Sequence, residues 1–116
     1  MTRLLVTGGR DFTRRALLFR TLDQLHEERV FTDMIQGGAR GADELARLWA
    51  KTHPEIKRYV CHANWEEHGN GAGPRRNARM LDWKPDLVVA FPTGGPGTAD
   101  MMRQARAAGV EVIEIK

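Results

Sequence analysis

Apolar residues gather in five runs of strand length: RLLVT (3–7), TDMIQ (32–36), IKRYVC (56–61), DLVVAF (86–91) and VEVIEI (110–115). The first and fourth are nearly continuous, as in strands covered on both faces. The last alternates Val110, Val112, Ile113 and Ile115 with glutamates, which suits an edge strand.

Helical spacing fills the intervals. In 13–28, Leu18, Leu22 and Leu25 repeat at i, i+4, i+7, with Leu17 beside them and charged residues opposite. In 42–52, Leu45, Leu48 and Trp49 give i, i+3, i+4. Segment 74–83 opens on Pro74, a residue suited to a first helical position, and sets Arg76, Met80 and Trp83 on one side. Segment 98–108 carries Met101, Ala105 and Ala108 and stops at Gly109, a helix-ending residue. The order β-α-β-α-β-α-β-α-β predicts an α/β fold with a parallel sheet, right-handed crossovers and helices on both faces. With 116 residues and no repeat or linker, residues 1–116 read as one domain.

Three glycine-rich turns follow apolar runs: VTGGRDF (6–12), IQGGARGAD (35–43) and FPTGGPGTAD (91–100). Each lies at the carboxyl end of an expected strand and opens a helix, so all three share one edge of the sheet. Ligands of open α/β sheets bind at that edge, where strand order reverses. Glycine admits a close-lying ligand, and a helix N-terminus offers unpaired N–H groups and partial positive charge. None of the turns has the GxxxxGK[ST] or GxGxxG spacing; it is their coincidence on one edge that predicts an anion or nucleotide site. The candidate ligand-binding residues are Gly8, Gly9, Arg10, Gly37, Gly38, Arg40, Gly41, Asp43, Gly94, Gly95, Gly97 and Thr98. Arg10 and Arg40 are set to fork onto phosphate oxygens, or else to pair with Asp11 or Asp43. Thr98 is placed to cap its helix, to donate to phosphate, or both. Asp43 and Asp100 fall in first helical turns, favoured there by the helix dipole or placed to accept ribose hydroxyls or face a sugar C1.

Composition changes this picture little. Charged residues are 28% and apolar residues 41% of the chain, as in a folded globular protein. No apolar run approaches the roughly 20 residues of a membrane span, and the start MTRLLVTGG is too short and strand-like for a signal peptide, so a cytoplasmic location is expected. The net charge is +3, and 14 of the 18 basic residues are arginine, the side chain that best matches phosphate. Cys61 is the only cysteine; His62 and His68 near it lack structural zinc spacing, and no metal or cofactor is expected. The longest loop, 62–73, holds Asn64, Trp65, Glu66 and His68. Trp65 is read either as a base-stacking residue or as an anchor for the loop, and Glu66 and His68 as candidate acid–base groups beside solvated alternatives.

Together with GPRRNARM (73–80), the three turns resemble the SLOG superfamily, named for the DNA-processing protein DprA and the cytokinin-activating LOG enzymes. The similarity is greatest to its small YspA-like branch and spans essentially the whole chain. The resemblance implies a Rossmann-like five-stranded sheet of order 3-2-1-4-5 and a nucleotide or nucleotide-derived ligand at the switch point. LOG enzymes are phosphoribohydrolases that pair an arginine in an RKAEM-like helix with the glutamate of PGGxGTxxE. Here Arg76 falls on that arginine, with Asn77 following as a ligand-binding candidate. Met101 takes the place of the glutamate, and Asp100 stands one position earlier, about 100° around the helix.

The leading expectation is therefore binding of a nucleotide or nucleotide-derived small molecule, for sensing or processing. The enzymatic alternative is a LOG-like N-glycosidic hydrolase with Arg76, Asp100 and Glu66 as catalytic candidates. Single-stranded nucleic-acid binding, as in DprA relatives, is a further alternative, against which stands an aromatic content of 7%. A purely structural or interaction module would leave the arginines and glycines incidental. No membrane partner is expected, and pairing of helices as in the family implies a homodimer.

Overall fold

A computed structural model of the protein describes residues 1–64 and 68–116; Trp65 and Glu66 lie outside the described residues. Strand β1 (Thr2–Gly8) leads through helix α1 (Arg15–Arg29) to β2 (Phe31–Gln36), then through α2 (Ala42–Lys51) to β3 (Lys57–Val60). A 3-10 turn, Gly69–Gly71, runs into α3 (Ala72–Asp82), followed by β4 (Leu87–Phe91), α4 (Pro96–Ala107) and β5 (Glu111–Glu114). All neighbouring strands pair in parallel in the order β3-β2-β1-β4-β5. The fold is Rossmann-like, and its strand order reverses between β1 and β4.

Alternation along the central strands builds two cores. Leu4 and Val6 of β1 and Leu87, Val89 and Phe91 of β4 point to the face covered by Leu18 and Leu22 of α1 and by Trp49 of α2. Leu5 and Val88 point the other way, against Met80 of α3 and Met101 and Ala105 of α4. Both strands are thus buried on both faces, as their unbroken apolar runs predict. β5 lies at an edge and pairs only with β4.

Two helices differ in detail from their sequence patterns. The buried face of α2 is Ala42, Ala46, Trp49 and Ala50, and Leu45 only flanks it. Small alanines let the helix approach the sheet closely, a role that a count of large apolar residues misses. Helix α3 begins at Ala72, so Pro74 sits third in its first turn. That turn's N–H groups have no acceptor within the helix, so proline is tolerated throughout it. Gly109 follows the last helical turn of α4 with φ 77°, the expected left-handed stop. Among the described residues no helix is long and apolar enough to cross a membrane.

Candidate functional site

Because β2, β1 and β4 are adjacent and parallel, the turns that follow them sit side by side on one rim. They are packed directly on each other. The Gly9 amide donates to the Phe91 carbonyl at 3.1 Å, tying the first turn to the end of β4, and the Ala42 amide donates to the Gly9 carbonyl at 3.2 Å, tying in the second. A Cβ on Gly9 would lie 1.7 Å from Thr93 Oγ1, and one on Gly41 would lie 2.2 Å from the Gly9 carbonyl oxygen. Gly41 also has φ 74°. Glycine at these two positions lets the turns nest.

The third turn is built otherwise. A Cβ on Gly95 or Gly97 would meet no atom of the described residues within 4 Å. Both line a cleft of about 620 Å³ together with Thr7, Gly8 and Gly9 on its floor. Arg10, Asp11, Ala39 and Asp43 form one side of it, and Thr93, Pro96, Thr98, Asp100, Gly73, Pro74 and Arg76 complete it. α4 starts at this wall with Gly95 as N-cap, Pro96 next and no side-chain cap. By helical geometry the N–H groups of Gly95, Gly97 and Thr98 have no intrahelical acceptor. Thr98 therefore does not cap the helix; it is 4% exposed and belongs to the cleft wall.

The second turn uses its donors internally. Asp43 Oδ2 accepts from the amides of Gly37 and Ala39, each at 3.2 Å, and Gln36 Oε1 accepts from that of Gly38. Asp43 is 6% exposed, and burial raises its carboxyl pKa to about 6 against the opposing pull of those amides and of Arg76 and Arg10. A raised carboxyl pKa contributes stability that is complete below the unfolded value of 3.8 and is lost as pH rises through the folded one. Urea unfolding of the wild type and Asp43→Asn should accordingly show the wild type losing ground between about pH 4 and pH 6.5, by on the order of 3 kcal/mol. A constant or rising difference would contradict the burial assigned to this group. Asp11 accepts from Thr93 Oγ1, and chiefly that hydrogen bond, with a smaller contribution from the Arg40 charge, holds its carboxyl below the ordinary value.

Arg76 reaches across from α3. Its Nη1 donates to the Gly37 carbonyl at 2.9 Å and its Nε to Asn77 Oδ1 at 3.1 Å. Asn77 Nδ2 in turn donates to Asp100 Oδ2 at 2.9 Å and to the Gly97 carbonyl at 3.2 Å. Asp100 also accepts from Gln104 at 2.8 Å and from Arg103. One chain of hydrogen bonds thus joins the second turn, through Arg76 and Asn77, to the third. Asn77 is 2% exposed and stands behind the wall, holding Arg76 and Asp100 in place. Met101 is fully buried in the core against Leu5 and Val88, whereas Asp100 is on the cleft.

Of the sequence candidates, Gly8, Gly9, Arg10, Asp43, Arg76, Gly95, Gly97, Thr98 and Asp100 line this cleft. Gly37, Gly38 and Arg40 line an adjoining cavity with His62 and Ala63. Gly41 supports the turns from beneath, Gly94 lines neither space, and Glu66 lies outside the described residues. By sequence, His62 is considered only as a metal ligand beside Cys61; its position just past β3, on the same rim as the turns, is the signal that places it at this cavity.

The model of the YspA, cpYpsA-related SLOG family matches residues 2–68, more than half of the chain. The chain belongs to this family. The Gene 61 protein of Mycobacterium phage D29 is 39% identical, in a match covering 97% of this chain and 95% of that protein. The match to this SLOG model contains the first two turns and ends before Arg76 and the third; similarity to the phage protein extends over nearly the whole chain.

Proposed function

We propose that this SLOG protein binds a nucleotide or nucleotide-derived ligand in the rim cleft, with a phosphate against the start of α4. The observation that supports this most directly is the pair Gly95 and Gly97. A Cβ on either would meet no atom of the described residues within 4 Å, beside helix N–H groups that no side chain caps. Such N–H groups and the helix dipole favour a phosphate. At about 620 Å³ the cleft falls within the roughly 300–1,000 Å³ of small-molecule sites. Asp43 and Asp100 supply acceptors for ribose hydroxyls, and Arg76 supplies a guanidinium held by the Gly37 carbonyl and Asn77.

Isothermal titration with nucleoside monophosphates, ADP-ribose and NAD tests the reading. Saturable binding of at least one is expected. Arg76→Ala should weaken it by at least about tenfold while lowering Tm by only a few degrees, roughly the loss of two hydrogen bonds. Absence of heat from folded protein with every compound would overturn the proposal.

A hydrolytic reading is favoured by one observation: Asp100 reaches the cleft and is tied to Arg76 through Asn77. In that reaction water adds at the sugar C1, the C1–N bond breaks, and the base leaves with a proton. A carboxylate beside C1 stabilises the oxocarbenium-like state. Free base released from a panel nucleotide, and lost in Asp100→Asn, would establish the activity; no release would leave binding alone.

A further inference from the structure

Beside the cleft lies a second cavity, of about 350 Å³, lined by Arg10, Gly37, Gly38, Ala39, Arg40, His62, Ala63 and Arg76. The two spaces meet at Arg10, Ala39 and Arg76, which line both. Their chemistry differs. The cleft carries Asp11, Asp43 and Asp100 alongside its two arginines. The second cavity carries three arginines and a histidine, and among its described lining residues none is acidic.

Main-chain donors do not explain this cavity as an anion site, because Asp43 and Gln36 already occupy the amides of Gly37, Gly38 and Ala39. Its capacity resides in side chains. Arg76 spends Nε and Nη1 on Asn77 and the Gly37 carbonyl, and Nη2 has no partner among the described residues. Arg40 is exposed at the tip of the turn; its charge helps to hold the Asp11 carboxyl below the ordinary value, while the hydrogen bonds of Asp11 and Asp43 go to Thr93 and to main-chain amides. Three arginines and a histidine lining one small open space match the several oxygens of a phosphate.

We infer that this cavity is a second anion subsite, and that the ligand is a nucleotide bearing a second phosphate distant from the first. One phosphate lies at the start of α4 and the other among Arg10, Arg40 and Arg76, with the ribose between them at the waist. This rests on the proposed binding of a nucleotide in the cleft. A terminal group without charge would forgo the arginines that line this chamber.

The test compares adenosine 5′-monophosphate with adenosine 3′,5′-bisphosphate, and the corresponding guanosine pair, by titration calorimetry on the wild type and Arg40→Gln. In the wild type the bisphosphate should bind at least about tenfold tighter than the monophosphate. That ratio should fall below about threefold in Arg40→Gln and shrink as salt is raised. Arg40 is exposed, so folding of the variant, checked by Tm, is expected to be nearly unchanged. A wild-type ratio near one for both bases would overturn the second subsite and leave the cleft reading standing. A large ratio untouched by Arg40→Gln would overturn the assignment to this cavity. Binding of none of the four by folded protein would overturn both readings.

Discussion

Replacing Gly41 by alanine should destabilise the protein by about 2–5 kcal/mol, a loss that falls on every function of the rim. Two costs combine. The residue has φ 74°, where a Cβ meets the following carbonyl at roughly 1–2 kcal/mol. That Cβ would also lie 2.2 Å from the Gly9 carbonyl oxygen and 2.7 Å from the main chain of Arg10. The obstacles are backbone and cannot rotate away as a flexible side chain would, and forced overpacking costs about 1–3 kcal/mol. Against a typical stability of about 5–15 kcal/mol, the drop is large, on the order of 10 °C in Tm. Urea or thermal unfolding measures it. A variant within about 0.5 kcal/mol of the wild type would mean that the first two turns are not nested.

Gly97→Leu should behave in the opposite way. A side chain here enters open space in the first turn of α4, and leaving glycine gains up to about 0.8 kcal/mol of helix propensity. Tm should stay level or rise slightly. The leucine would project into the cleft beside the Thr98 amide, where the ligand's phosphate is placed. Affinity for the tightest-binding nucleotide of the panel should fall by at least about a hundredfold, since the phosphate loses its helix-end donors and meets an apolar side chain. Unchanged affinity with unchanged Tm would remove the phosphate from this wall. A large loss of Tm would instead make Gly97 a packing glycine. The two substitutions thus separate glycines the fold requires from glycines that leave room for a guest.

The sheet was largely legible in the sequence because its evidence is local. Leu4–Val6 and Leu87–Phe91 are apolar without interruption, and a strand buried on both faces leaves no other pattern. Three GG turns after three such runs fixed the rim, since parallel strands place all their carboxyl ends together. The start of α3 was hidden because GNGAG has the composition of a loop, while Ala72 and Gly73 are buried in the helix's first turn. The alanine face of α2 was obscured for a related reason: its value lies in how closely Ala42 lets the helix approach Gly8, a distance absent from any periodicity. Nor does spacing distinguish amides already used from amides left open. Asp43 stands in the first turn of α2, as its position predicts, and also closes the second turn's donors. Asn77, a ligand-binding candidate by resemblance, links Arg76 to Asp100. The Asp100 partner of Asn77 comes from a distant segment, whereas the amides that Asp43 accepts from lie in its own turn.

The central claim concerns where the ligand's phosphate sits, and amide-resolved NMR titration reads that position directly. With ¹⁵N-labelled protein and the tightest-binding nucleotide, the amides of Gly95, Gly97 and Thr98 should show the largest shifts, saturating together with the calorimetric isotherm. Saturable binding that leaves these three amides in place and moves residues away from the rim would contradict the account.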